Sequence, residues 1–133
     1  MATFHLQIVT PDCKKYDAQA ERVIVRTVNG DVCILSRHID YVAPLGIGEA
    51  RVTDAEGNVR RAACAGGMIS VSNNVVRVVA TTFEWEDEID LERAKAAHDA
   101  AEQRLRQMKR DDAKYSITEA KLKRALNRIM IKG

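Results

Sequence analysis

The chain has 133 residues, of which 46% are apolar, and a formal net charge of +2; that is enough for one ordinary domain with an appendage, and too apolar for wholesale disorder. No stretch of about 18 apolar residues reads as a membrane-spanning helix, and Met1-Ala2-Thr3-Phe4-His5 has neither the basic start and apolar run of a secretory leader nor the Arg-rich character of a transit segment. The expectation is a product that stays where it is made. Three widely spaced cysteines, Cys13, Cys33 and Cys64, with no CxxC pair, suggest buried or partly buried free thiols in a reducing compartment and argue against a disulfide framework or a metal site.

In chain order, Phe4, Leu6 and Ile8 alternate with His5, Gln7 and Val9, the period of a strand with one buried face. Glu21–Val28 repeats the theme with β-branched residues, and further strand-like runs lie at Gly48–Thr53, Asn58–Cys64, Met68–Val71 and Val75–Ala80. Thr10-Pro11-Asp12, Asn29-Gly30, Glu56-Gly57-Asn58, Gly66-Gly67 and Asn73-Asn74 read as turns between them, because Gly and Asn tolerate the positive φ of tight hairpins. The spacing predicts an antiparallel β sandwich or barrel over residues 1–84.

From Glu84 the pattern changes to an acidic connector, Glu84-Trp85-Glu86-Asp87-Glu88. Asp90 is suited to cap a helix starting at Leu91 and running to about Met108 or Lys109. Ser116 and Glu119 have capping-box spacing for a second helix reaching about Met130. The short connection predicts an antiparallel hairpin, so the expected class is α+β, with residues 85–133 forming connector and hairpin. The first helix offers mainly Ala94, Ala97, Ala101, Leu105 and Met108, the second Leu122, Leu126 and Ile129. At about 25 cal/mol per Å² of apolar surface such a seam stabilises little, against roughly 1–2 kcal/mol per residue for ordering the backbone. The hairpin is expected to need the β domain, a ligand or a partner to hold its posture.

The net charge conceals a division. Residues 1–88 carry 9 Lys and Arg against 12 Asp and Glu, whereas residues 89–133 carry 12 against 7. A charge change that coincides with a pattern change marks units with different partners. Arg124 and Arg128 form an i, i+4 pair near Lys121 and Lys123, with no acid after Glu119. Such a face suits phosphates or an acidic protein surface, the alternative being the solvated side of an amphipathic helix. Asp90 and Arg93 face one side of the first helix: they read either as a cap with a solvated arginine or as a carboxylate for an adenine amine or ribose hydroxyl beside a guanidinium for phosphate. Cys33 and His38 lack a third orienting residue or an oxyanion loop at recognisable spacing, so no catalytic residue is assigned. Nucleic acid is not an expected partner, since the β domain is acidic and lacks RNA-stacking aromatics.

The order of these features resembles the epsilon subunit of bacterial F-type ATP synthases. FHLQIVTPD is similar to that family's first strand and turn, Gly30-Asp31-Val32-Cys33-Ile34-Leu35 with His38 to its loop, and Asn74–Ala80 to its last strand. IDLERAKAA is similar to the start of its first C-terminal helix and KRALNR, Lys123–Arg128, to its second; the likeness spans nearly the whole chain. The resemblance implies a non-catalytic rotor subunit on the cytoplasmic face of the plasma membrane, held there only through its complex. Its partners would be the gamma subunit and the c-ring, reached through a loop containing Ile34, Leu35, Arg37 and His38. When extended, the hairpin would meet the catalytic alpha/beta head through the basic helix of Lys121, Lys123, Arg124 and Arg128, and inhibit hydrolysis. No cofactor is required. ATP as a regulatory ligand would be held by Glu84, Ile89, Asp90, Arg93, Ala94, Arg124 and Arg128. Two places depart from the family: Ala100 stands where ATP-binding relatives have an arginine, and Leu35-Ser36-Arg37-His38-Ile39-Asp40 replaces Leu-Pro-Gly-His-Ala-Pro. A stand-alone nucleotide-sensing module and a nucleic-acid-binding protein with a basic helix are the alternative functions.

Overall fold

The computed structural model describes residues 2–133. Seven strands come first: β1 Phe4–Val9, β2 Lys14–Thr27, β3 Gly30–Leu35, β4 Tyr41–Pro44, β5 Ile47–Asp54, β6 Val59–Ser72 and β7 Val75–Trp85. A single 3-10 turn, Glu86–Glu88, leads to α1 Leu91–Gln107 and α2 Tyr115–Lys132.

The strand order is β1-β7-β6-β5-β2-β3, with β4 on β6 and β1 also paired to β2. The hairpins are antiparallel, and the sandwich closes where β1 meets β7 in parallel, His5 opposite Val75 and Val9 opposite Val79. Joining the first and last strands satisfies both of their edges. Alternation places Phe4, Leu6 and Ile8 wholly inside with Val23, Val25, Ile34, Val52, Ile69, Val76 and Val78; each large side chain contributes about 1.5–3 kcal/mol by burial. Asn73 and Asn74 both take positive φ, 53° and 61°, in the two-residue turn between β6 and β7, as their residue types predict.

Gly66-Gly67 is not a turn. β6 runs through it, and its second neighbour changes there from β5, ending at Ile47 opposite Ala65, to β4, starting at Pro44 opposite Met68. Positive φ at both glycines, 72° and 96°, kinks the strand without ending it, the same freedom that would serve a hairpin. A Cβ on Gly67 would lie 1.8 Å from the Val79 carbonyl oxygen. β7 likewise continues past Ala80: Phe83 and Trp85 are buried, so Glu84 and Trp85 of the expected connector are strand.

Asp90 caps α1 as expected, its carboxylate accepting the Arg93 amide N–H at 3.1 Å. The Ser116–Glu119 capping box does not form. Ser116 lies within α2, and Asp112 sets the helix entry by accepting the Lys114 amide N–H on its side chain at 2.8 Å and the Tyr115 amide N–H on its carbonyl at 3.0 Å. The cysteine expectation is corrected in part: Cys64 is buried, but Cys13 and Cys33 are exposed.

Candidate functional site

The hairpin lies folded against the sandwich, and α2 supplies the attachment while α1 leans chiefly on α2. The platform is a run of small residues, Ala62-Ala63-Cys64-Ala65, in which Ala62 and Cys64 belong to the sandwich core while Ala63 packs with Ile89 and Ile131. Small side chains let the helix approach, and polar groups then meet directly. Asn127 donates from Nδ2 to the Gly48 carbonyl oxygen at 2.9 Å. Arg128 donates from Nε to Glu84 Oε1 at 2.9 Å, both side chains about one-third exposed. Gly48 cannot carry a larger side chain, since a Cβ would lie 2.5 Å from that of Arg26.

The seam between the helices is thin. Only Ala94 and Ala101 of α1 and Thr118, Ala125 and Ile131 of α2 are buried. Leu126, expected in the seam, is exposed, as is Met130. In place of interlocking side chains the helices leave a groove of about 900 Å³ over Ala97, Ala100 and Ala101, walled by Arg104, Lys121, Arg124 and Arg128.

Several sequence-derived candidates converge here. Glu84 and Arg128 form an ion pair, Ile89 joins the docking cluster, Ala94 is buried in the seam, and Arg124 and Arg128 wall the groove. Asp90 spends one carboxylate oxygen on its cap, and Arg93 is exposed. Among the described residues no hydrogen bond joins the side chains of Asp90 or Arg93 to Arg124 or Arg128. The basic helix divides: Lys121, Arg124 and Arg128 share the groove, whereas Lys123 pairs with Glu119 at 3.9 Å on another side.

Around the base of the hairpin, Glu49 on β5 accepts from Arg61 at 2.7 Å and from Arg51 at 2.6 Å, and Arg61 also reaches Glu86 at 3.8 Å. The Arg61 hydrogen bond, assisted by Arg51, holds the Glu49 carboxyl below its ordinary range. Glu88 is held low first by the Trp85 amide N–H and then by Lys15. Burial pushes the Cys64 thiol up to about 12, leaving it a packing group.

At the other end of the sandwich, the loop after β3 shows why alternation matters. Ile34 is fully buried and therefore cannot present itself to a partner; it anchors the loop from inside, a correction to its expected contact role. Leu35 is exposed, and Arg37, at φ 64°, donates its amide N–H to Asn74 Oδ1 at 2.7 Å. His38 stands edge-on to Tyr41 with ring centroids 5.8 Å apart. Ile39 and Val42 extend the exposed apolar surface, and across the strands Pro44, Met68, Val79 and Val9 occupy one register row.

The residues that sequence reasoning missed are Asn127, Ile131, Ile39 and the platform around Ala63. The small-residue run was visible as a strand segment with no apolar–polar alternation, the signature of a strand covered on both faces.

Comparison with known proteins agrees over the whole length. Residues 3–86 match the β-sandwich domain of the ATP synthase delta/epsilon chain family, and residues 87–133 match that family's long α-helix domain. The ATP synthase epsilon chain of Halalkalibacterium halodurans is 39% identical over 133 residues, covering 100% of this chain and 99% of the relative. That of Alkaliphilus oremlandii is 44% identical over 104 residues, covering 78% and 77%. Among solved structures, a chain of the Euglena gracilis mitochondrial ATP synthase superposes with a TM-score of 0.80 at 22% identity, covering 92% of this chain and 77% of that one, which is a likeness of fold.

Proposed function

Because the chain belongs to the delta/epsilon chain family of ATP synthases, we propose that it is a non-catalytic central-stalk subunit whose hairpin restrains ATP hydrolysis when released and is held down by ATP. The observation that carries this reading is the attachment of α2: one ion pair, one amide-to-carbonyl bond and the Ala63–Ile89–Ile131 cluster hold a helix whose Ile117, Leu126 and Met130 side chains are exposed. An attachment of that size is reversible under small forces.

The sandwich supplies the fixed end. The exposed row of Pro44, Met68 and Val79, with Val42 and the Leu35–Ile39 loop beside it, suits apolar docking onto the gamma subunit and c-ring. No helix among the described residues is long and apolar enough to cross a membrane; in the proposed role the chain sits at the cytoplasmic face of the plasma membrane as part of the complex. Released, α2 would carry Lys121, Lys123, Arg124 and Arg128 towards acidic surface on the alpha/beta head. Folded, the hairpin gathers Arg124 and Arg128 over Ala97, Ala100 and Ala101, where phosphates would lie, with Asp90 and Arg93 proposed to complete the nucleotide site. A ligand at a hundred times its dissociation constant adds about 2.7 kcal/mol to the state it binds, which moves a two-posture equilibrium by roughly a hundredfold.

Deleting residues 89–133 and measuring hydrolysis in the assembled complex tests the brake: higher ATPase is expected, and unchanged hydrolysis removes it. Calorimetric titration of ATP into the isolated chain tests the sensor: saturable heat is expected, and neither heat nor a thermal shift at millimolar ATP would remove it. A stand-alone nucleotide-sensing module would bind ATP but would not co-purify with gamma.

A further inference from the structure

The loop after β3 holds a residue whose type does not favour its backbone conformation. Among the described residues three non-glycines take positive φ: Arg37, Asn73 and Asn74. Asparagine tolerates that conformation, whereas a long side chain such as arginine adopts it at a cost. At Arg37 φ is 64°, and a frame of polar contacts holds it there. Asn74 accepts the Arg37 amide N–H on Oδ1 at 2.7 Å and donates from Nδ2 to the Thr3 carbonyl oxygen at 3.1 Å. Its own carbonyl accepts the His5 amide N–H at 3.2 Å. Ser36 donates from Oγ to the Thr3 carbonyl oxygen at 3.2 Å, and the His38 amide N–H closes the turn on the Leu35 carbonyl oxygen at 3.2 Å. The frame uses the backbone of Arg37 and leaves its side chain out. Arg37 is exposed, and among the described residues its guanidinium makes no hydrogen bond and no ion pair, with Asp40 or any other acid.

This unmatched charge stands in the chain between exposed apolar side chains: Leu35 is 53% exposed and Ile39 78%, with Val42 beyond them at 64%. A partner that covers these side chains also takes the arginine out of water, and a guanidinium desolvated without a partner opposes docking. A carboxylate at the same place reverses the sign, because arginine meets it with two parallel N–H donors, and a surface lacking that carboxylate is rejected. We propose that Arg37 is the specificity-determining residue of this docking surface, and that its partner is a carboxylate on the loop surface of the c-ring. This role rests on the central-stalk reading above and deepens it by naming the group that the loop selects. The ring, rather than gamma, is chosen by position. The loop lies at the end of the sandwich away from the hairpin, and the hairpin is the part proposed to reach the catalytic head. A glycine at position 37 would hold the same turn without strain, so the fold has no need of this side chain; its use lies outside the chain.

The test measures binding of the full chain to two assemblies at low and high salt: the complete complex stripped of this subunit, and the ring-free head with its gamma subunit. Arg37→Gly keeps the amide donor and accepts the positive φ, so the isolated variant should unfold at the same urea midpoint or a higher one. On the complete complex its Kd should rise by roughly tenfold, the loss of one charge-assisted hydrogen bond, and the salt dependence of attachment should shrink. Arg37→Asn, which tolerates the same φ without the flexibility of glycine, should lose as much. Arg37→Lys should keep most of the affinity and its salt dependence, and Arg37→Glu should lose more than either neutral variant. None of these shifts should appear on the ring-free head. Equal binding of Arg37→Gly and the unaltered chain to the complete complex would overturn the carboxylate contact and leave the central-stalk reading standing. Equal losses on both assemblies would place the carboxylate on gamma and overturn the assignment to the ring. A clearly lower unfolding midpoint for Arg37→Gly would make the side chain a structural one, which also overturns the proposal. Failure of the unaltered chain to bind either assembly would remove the central-stalk reading itself.

Discussion

The sandwich and the hairpin bury side chains on different terms. In the sandwich, aliphatic and aromatic residues from every strand meet in one closed core, with Phe4, Leu6, Ile8, Ile34 and Ile69 at 0–1% exposure. In the hairpin the buried set is Ala94, Ala101, Thr118, Ala125 and Ile131, and the space between the helices is a groove. Close packing gives the first region one cooperative structure. The second holds its place through a few contacts with the first, so its opening free energy is local and small. Stability is therefore concentrated where a fixed attachment is needed and withheld where movement is proposed.

The largest expected effect comes from breaking the stable side of this contrast. Gly67→Ala sets a methyl group against the Val79 carbonyl oxygen at a backbone position of φ 96°. It should cost about 3 kcal/mol or more of global stability, read by urea unfolding. A smaller but sharper effect is expected at Ile131, which packs with Ala63 and Ile89. Ile131→Ala should weaken the docking of α2 by about 2 kcal/mol, seen as faster hydrogen exchange in the helices with the sandwich unfolding midpoint unchanged. If the midpoint falls by the same amount, the two regions are one cooperative unit.

The local parts of this architecture were legible in the sequence. Alternation fixed the inner face of Phe4–Val9, Asn73-Asn74 marked a hairpin by residue type, and Asp90 marked a helix start. What misled were features with two physical uses. Paired glycines permit a turn or a kink, and only the exchange of neighbours from β5 to β4 decides between them. Phe83 and Trp85 continue a strand pattern that the surrounding acids hid. Ser116 and Glu119 had the right spacing but lay inside the helix, because Asp112 had already set its start. At the site, family resemblance singles out Glu84 and Arg128 as ligand candidates, but their ion pair across 44 residues follows no periodicity. The docking of Asn127 on Gly48 and of Ile131 on Ala63 depends on which strand α2 crosses, a tertiary fact. The burial of Ile34 beside the exposed Cys33 and Leu35 is set by strand register.

Two weaker perturbations sharpen the contrast. Arg128→Ala removes a partly exposed ion pair and should cost the docked posture about 1 kcal/mol, less at high salt; helix hydrogen exchange measured at low and high salt checks both. Acid should act more weakly still. The Glu49 carboxyl is held below its ordinary range by Arg61 and then Arg51, so its contribution is fully present above the ordinary carboxylate pKa. It is lost as pH falls through the lowered folded value. Glu49→Gln should therefore flatten the acid limb of the sandwich stability curve, by less than about 1 kcal/mol.

The central claim is that the hairpin is far less stable than the sandwich it rests on. Hydrogen exchange on the isolated chain, without nucleotide, measures both regions at once. Amides of α1 and α2 should exchange orders of magnitude faster than those of β5, β6 and β7. Equal protection in helices and strands would contradict the account, because a hairpin that opens only when the whole protein unfolds cannot serve as a switch.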